Sequence, residues 1–338
     1  MKKSHCLKFL LGYMVVGLSG AASLAQERDP QKQPINAPVL AEASRLSLQV
    51  VALYNQGKYD EALPFAKRAV EIRQKELGSE NQLTGAALRN LASLYFAKKN
   101  YIDAVKFYER ALKAYEKSLG DNDPKVADVL ESYAWSNYGL GETGRTESCL
   151  LRALAIREKA FGPDSKEAGE SLFVLGQFYQ KAGRADRAVK TYKRAIPTME
   201  KTAGPNSKEL GTLLEKCACA LLAIGEKQEG FGMGIRAQII LHPRGPGSVV
   251  GNVLQGRAIF RAEPVYPEAA KHERISGSVI VEVTVDETGK VTEARSICGP
   301  DALAGVSVEA AKRWRFTPTL RSGQPIKVIG TITFNYHL

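Results

Sequence analysis

From Ser44 to Ile224, apolar residues recur at spacings of three and four, the period of a helix with one buried face. Small residues recur at a fixed distance of 42 positions. Ala69, Ala111, Ala153 and Ala195 keep that register, as do Leu77-Gly78, Leu119-Gly120, Phe161-Gly162 and Ala203-Gly204. Gly57, Gly141, Gly183 and Gly225 form another column, in which Lys99 stands for glycine; Ala62, Ala104 and Ala188 form a third, with Thr146 as its exception. Each unit reads as two helices. The spacing predicts one over Leu83 to Lys98, with Ala87, Leu91, Leu94 and Tyr95 on one face. It predicts a second over Tyr101 to Leu119, with Ala104, Val105, Tyr108, Ala111, Leu112 and Tyr115 facing inward. The alanines let a partner helix approach, and the glycine column supplies the turn between helices. Asp123-Pro124, Asp164-Ser165 and Asn206-Ser207 offer caps between units. Four full pairs are expected, then a fifth first helix from Lys208 to Ile224. Its partner would run from Glu226 to Leu241, weakened by Gly230, Gly232 and Gly234.

After Gly230 the composition turns Gly-rich, and His242-Pro243-Arg244-Gly245-Pro246-Gly247 fits neither a helix nor a central strand. Beyond it the period becomes two. Val279, Val281, Val283 and Val285 alternate with Ile280, Glu282 and Thr284, which predicts a strand. Asp286-Glu287-Thr288-Gly289 is a hairpin turn, Lys290 to Ile297 a second strand, Asp301 to Arg315 a helix, and Pro325 to Tyr336 a last strand. The expected organisation is a targeting segment at 1–25, a linker at 26–42, a helical-repeat domain at 43–241, a Gly/Pro linker at 242–256 and a C-terminal domain at 257–338. The fold class is multidomain: an all-α helical-repeat solenoid followed by a small α+β domain of order ββαβ.

The repeat resembles the tetratricopeptide repeat in its 42-residue form, as in kinesin light chains. Asn55-Gln56-Gly57-Lys58-Tyr59-Asp60-Glu61-Ala62 and Lys98-Lys99-Asn100-Tyr101-Ile102-Asp103-Ala104 carry the resemblance. Units of this kind cannot bury a core alone and stack into a superhelix. The resemblance implies a concave face, lined by the first helix of each pair, that binds proteins or peptide segments. Asn90, Asn137 and Gln177 are the candidate exposed positions on it, although Asn137 is not the 42-residue equivalent of Asn90.

The C-terminal segment resembles the C-terminal domain of TonB-family energy transducers. The matching residues run from Glu263-Pro264-Val265-Tyr266-Pro267 through Gly277-Ser278-Val279 and Gly289-Lys290-Val291 to Ala310-Ala311-Lys312-Arg313-Trp314-Arg315-Phe316-Thr317-Pro318. That family's domain sits in the periplasm and captures an extended segment of an outer-membrane receptor by adding it to a sheet edge, so that main-chain hydrogen bonds give affinity. The implied partner-binding edge is the last strand: Ile326, Val328, Gly330, Thr331, Thr333, Phe334 and Tyr336. Tyr266, Pro267, Trp314 and Phe316 read as structural. Domains of this kind can also pair through exposed edges, which admits a homodimer.

The N-terminus changes the picture of where this happens. Lys2, Lys3 and Lys8 precede an apolar run from Phe9 to Val16 that continues to Ala22, and Ser23-Leu24-Ala25 offers a cleavage site that would leave Gln26 first. Uncleaved, the run of about 17 residues would instead associate with a membrane as an anchor. Either way the rest of the chain is exported. The formal charge is +11, or +8 without the three lysines of that segment. Lysines and arginines interleave with glutamates along helices, which reads as solvated faces and not as a nucleic-acid surface. The five cysteines (Cys6, Cys149, Cys217, Cys219 and Cys298) have no metal-site spacing and read as small buried hydrophobes, with a disulfide open to them in an oxidising compartment.

No chemistry of catalysis emerges. The chain has no Walker loop, no His-Glu-x-x-His helix and no Gly-x-Ser-x-Gly elbow, and His5, His242, His272 and His337 are scattered. No cofactor is expected. Three readings follow: an exported adaptor with two protein-binding modules, a transducer in receptor-dependent transport, or a cell-envelope assembly factor using its basic surface. The transducer reading needs a retained anchor, and that family's anchor helix carries a histidine; here His5 precedes the apolar run.

Overall fold

The computed structural model describes residues 36–241, 249–250 and 257–337. The expected targeting segment at 1–25, and most of the expected linkers at 26–42 and 242–256, lie outside the described residues. The chain divides into two compact units, Met1–Leu175 and Gly176–Leu338.

Five helix pairs follow one another: α1 (Ala37–Asn55) with α2 (Tyr59–Leu77), α3 (Gln82–Ala97) with α4 (Tyr101–Leu119), α5 (Pro124–Gly139) with α6 (Thr143–Phe161), α7 (Lys166–Lys181) with α8 (Ala185–Ala203), and α9 (Lys208–Ala223) with α10 (Lys227–Leu241). The first helix starts ahead of the expected boundary at 43, and the fifth pair is complete. Gly230 explains how α10 forms despite its glycines. A Cβ there would come within 2.8 Å of Leu222, so the missing side chain is what lets α10 lie close on α9.

The caps follow the sequence. Asp123 accepts from the Lys125 N–H at 2.8 Å, Ser165 from the Ala168 N–H at 3.2 Å, and Ser207 from the Leu210 N–H at 3.2 Å. Each satisfies an amide that the first helical turn leaves bare. In the turn between helices, Gly57 and Gly141 have positive φ, and Lys99 takes the same left-handed conformation with φ 60°. A side chain there costs about 1–2 kcal/mol.

Within the first unit, α3 is buried on every side from Thr84 to Ala92, because its own partner α4 and the neighbouring helices enclose it. A charged cluster is also enclosed. The Arg157 side chain is 3% exposed and bonds Glu131, Asp128 at 2.9 Å and Ser171 at 2.6 Å. Burial pushes the Glu131 carboxyl above its ordinary range while Arg157 pulls it back.

The C-terminal domain is a four-stranded sheet of order β1-β8-β3-β4. β3 (Gly277–Val285) lies antiparallel to both β4 (Val291–Cys298) and β8 (Val328–Tyr336). β1 (Val249–Val250) runs parallel to β8, with Val249 opposite Val328 and Val250 opposite Ile329. The short helix α11 (Glu268–His272) precedes β3, and one face of the sheet packs under α12 (Asp301–Arg313). Val279, Val281, Val283, Ile332, Phe334 and Tyr336 meet Leu303, Ala310 and Ala311 there. The turn before β4 is tight. A Cβ on Gly289 (φ 85°) would meet the Phe316 carbonyl oxygen at 1.8 Å, so only glycine fits. Two short pairs complete the domain: β2 (Ala258–Phe260) with β5 (Arg315–Phe316), and β6 (Thr319–Arg321) with β7 (Gln324–Ile326).

The expected last strand is therefore split. Ile326 pairs with Thr319 in the small β6–β7 hairpin, so it is not part of the long edge strand. The turn at Ser322-Gly323, with φ of 51° and 78°, folds the segment back before β8 begins at Val328.

Both faces of β3 are covered, since Ile280, Glu282 and Thr284 are buried as well. Glu282 accepts from Arg295 Nε at 3.1 Å. The second face meets α9 and α10: Glu282, Ile297, Ile329 and Thr331 share a cavity with Ala218, Leu222, Phe231 and Ile235. A disulfide between Cys219 of α9 and Cys298 of β4 fastens the contact, with Cα atoms 5.5 Å apart. The reading of all cysteines as plain buried hydrophobes holds for Cys149 and Cys217, which are free and buried. It is corrected for Cys219 and Cys298, which the packing of sheet on helix brings together.

Two expectations follow. Lys99→Gly should raise stability by about 0.5–1 kcal/mol, since relief of the left-handed strain outweighs the entropy glycine adds to the unfolded chain; the urea midpoint reads this. Arg157→Ala should cost about 3–5 kcal/mol by leaving two enclosed carboxylates without a cation. Replacing the partners together, Arg157→Met with Glu131→Leu, should cost far less in the same urea titration.

Candidate functional site

The geometry of the last strand sets out the first candidate site. All nine β8 residues pair with β3 on the inner side. On the outer side β1 takes Val328 and Ile329. Among the described residues no strand pairs with β8 from Gly330 to Tyr336, so its outer backbone groups are a template for another strand. Phe334 and Tyr336 point into the core, while Thr333 and Asn335 are exposed. The opposite edge, β4, is tied at Cys298 to α9.

The aromatic residues expected to be structural hold this strand in place. Trp314 Nε1 donates to the Ala262 carbonyl at 2.9 Å and its ring stands edge-on to Phe334 at 5.8 Å. Tyr266 donates to the Ile275 carbonyl at 2.6 Å and packs on Tyr336 at 5.2 Å. The Tyr336 hydroxyl shares a 2.7 Å hydrogen bond with Ser307 of α12, and burial pushes its pKa upward. These contacts anchor the inner face of the edge strand to the core.

The expected exposed positions on the first helices fare differently. Asn90 is 3% exposed and Asn137 fully enclosed; the expectation of exposure is corrected for both. Asn90 lies within the stretch of α3 that is buried all round. Asn137 occupies the 42-residue column of Tyr95 and Tyr179, a packing position, and its amide donates to the Tyr133 carbonyl at 2.9 Å. The Oδ1 atoms of both asparagines lack a partner. Gln177 is half-buried.

Sequence reasoning passed over three residues that matter here. Cys219 lies 42 positions after Gln177, so it occupies the same column on α9. On α9 the sheet covers that position through Cys298, and the 42-residue register marks the position without naming what covers it. Gln238 and Arg295 carried no such signal. Both carry buried polar atoms without a partner, Nε2 and Oε1 of Gln238 and Nη2 of Arg295, where α10 faces the sheet.

Among the described residues, no group of three or more His, Cys, Asp or Glu side chains could hold a metal ion, and no helix is long and apolar enough to cross a membrane.

Comparison with known proteins divides along the same lines. Residues 262–338 match the family described as Gram-negative bacterial TonB protein C-terminal. Residues 44–117, 83–159 and 140–201 match the tetratricopeptide repeat. The Protein TonB of Vibrio cholerae is 32% identical over 68 residues, which are 20% of this chain and 28% of that protein; the chain thus spans under a third of that relative. Kinesin light chain TPR-like repeats from Podosopora anserina superpose with TM-score 0.54 at 22% identity, over 60% of this chain and 95% of that one. BtubC (BKLC) from P. vanneervenii gives 0.56 at 21%, over 64% and 87%. At those identities the two structures speak to the fold alone. Both matched families are typically non-enzymatic binding or scaffold domains, and no catalytic family is indicated. Residues 44–201 are tetratricopeptide repeats, and residues 262–338 are a TonB-type C-terminal domain.

Proposed function

We propose that this protein is an exported, non-enzymatic adaptor of the Gram-negative envelope. Its repeats hold one protein, and its C-terminal domain captures an extended segment of another, an outer-membrane component, on the β8 edge. One observation carries the reading. The outer side of β8 is unpaired from Gly330 to Tyr336 among the described residues, while packing locks its inner side. Strand addition there needs no rearrangement, and the main-chain bonds it makes are largely sequence-independent. The Cys219–Cys298 disulfide supports export, since such bonds persist in oxidising compartments.

A second reading, an energy transducer in receptor-dependent transport, is favoured by the likeness to Protein TonB. It needs an N-terminus retained in the inner membrane. The two readings part at the mature terminus. Mass spectrometry of protein from the envelope should find a start at Gln26 for a released adaptor; a retained Met1 would point to the transducer.

Strand capture has its own test. A photo-crosslinking residue at the exposed Thr333 or Asn335, in living cells, should give adducts with an extended segment of an outer-membrane protein. The same residue at Glu309 on α12 should give none. Adducts from Glu293 on β4 and none from β8 would overturn the assignment of the edge.

A further inference from the structure

The cavity between α10, α9 and the sheet is lined in part by Gly330 and Thr331 of β8, and it contains a polar group with nothing to bond. Gln238 is 6% exposed, lines the cavity, and has no partner for either Nε2 or Oε1. Whichever way the amide is assigned, it requires one acceptor and one donor. A buried polar atom left bare costs about 1–3 kcal/mol. The cavity measures about 40 Å³, against the roughly 10–15 Å³ that one water needs on that measure.

We propose that this cavity is a side-chain pocket that accepts a neutral carboxamide, asparagine or glutamine, from one position of the strand captured on β8. The inference rests on strand capture at that edge. Three features select the ligand. The cavity is lined by Glu215 and by Glu282, which is already paired with Arg295; an acidic side chain only accepts, which leaves Gln238 Oε1 bare. Lysine and arginine only donate, which leaves the Gln238 donor bare, and an aliphatic chain leaves both amide atoms bare. A carboxamide satisfies both atoms in one reciprocal pair. The remaining lining, including Leu222, Phe231, Ile235, Ile297 and Ile329, suits the methylenes that carry such a group.

The register follows from the sheet. Ile329 and Thr331 lie on the second face and line the cavity. Among the described residues β1 occupies the edge at Val328 and Ile329, so an added strand takes it from Gly330 onward. The residue opposite Thr331 then projects to the same face as Thr331, beside the pocket.

The test uses the full chain and a library of acetylated, amidated heptapeptides, each varied at one position among Gln, Asn, Glu, Lys and Leu. Hydrogen exchange on residues 330–336 identifies peptides that occupy the edge. At a single peptide position, Gln or Asn should bind about tenfold tighter than Leu or Glu, as two hydrogen bonds allow. Gln238→Leu should abolish that preference and leave the affinity of the Leu peptide unchanged. Gln238→Leu removes unsatisfied polar atoms, so its melting temperature should not fall; Gln238→Ala repeats the binding comparison if it does. Edge binding with no carboxamide preference, or a preference that survives in both variants, overturns the pocket and leaves strand capture standing. Failure of every peptide to slow exchange at 330–336 overturns strand capture itself, and the pocket with it.

Discussion

A helix pair of this repeat has apolar surface on the side where its neighbour stacks and a second face turned to partners. The last pair has to cover both without a sixth. Here α9 and α10 cover the second by receiving a β-sheet. The sheet in turn has two buried faces, and only one of them can go to α12. Each element lacks a cover that the other supplies. That mutual burial, fastened at Cys219–Cys298, is the constraint from which the rest of the C-terminal unit follows.

One consequence concerns edges. A free sheet of this size presents two, and each is a hazard as well as an opportunity. The disulfide draws the end of β4 onto α9, while among the described residues β8 stays open beyond Ile329. The domain is thus polarised toward one side. The aromatic brace of Tyr266, Trp314, Phe334 and Tyr336 holds the inner face of that strand, so a segment added there as proposed would not have to order its host.

The helical half was legible from the sequence because its signals are local and repeated. A column of alanines, a glycine turn and a cap recur every 42 residues, and even the exception, Lys99, obeys the column's left-handed backbone. The hairpin was legible at Asp286 to Gly289 for the same reason. What escaped was non-local. Glu282 and Thr284 alternate as a solvated face would, and only the docking of α9 and α10 buries them. Asn90 and Asn137 are polar and on the expected helices, but the enclosure of α3 and the column of Tyr95 and Tyr179 decided their burial. The break between Ile326 and Val328 depended on the pairing of β7 with β6 across a turn at Ser322-Gly323, ahead of what read as one strand. The pairing of Cys219 with Cys298 spans 79 residues, and no periodic signal reaches that far.

The disulfide also defines a mechanical route. A pull along a segment held on β8 is shared with β3 and β4 through their backbone ladders. From Cys298 it crosses by a covalent bond to Cys219 and enters the helices directly. Tension applied at the sheet edge would be felt by α9 as a direct tug through one covalent bond.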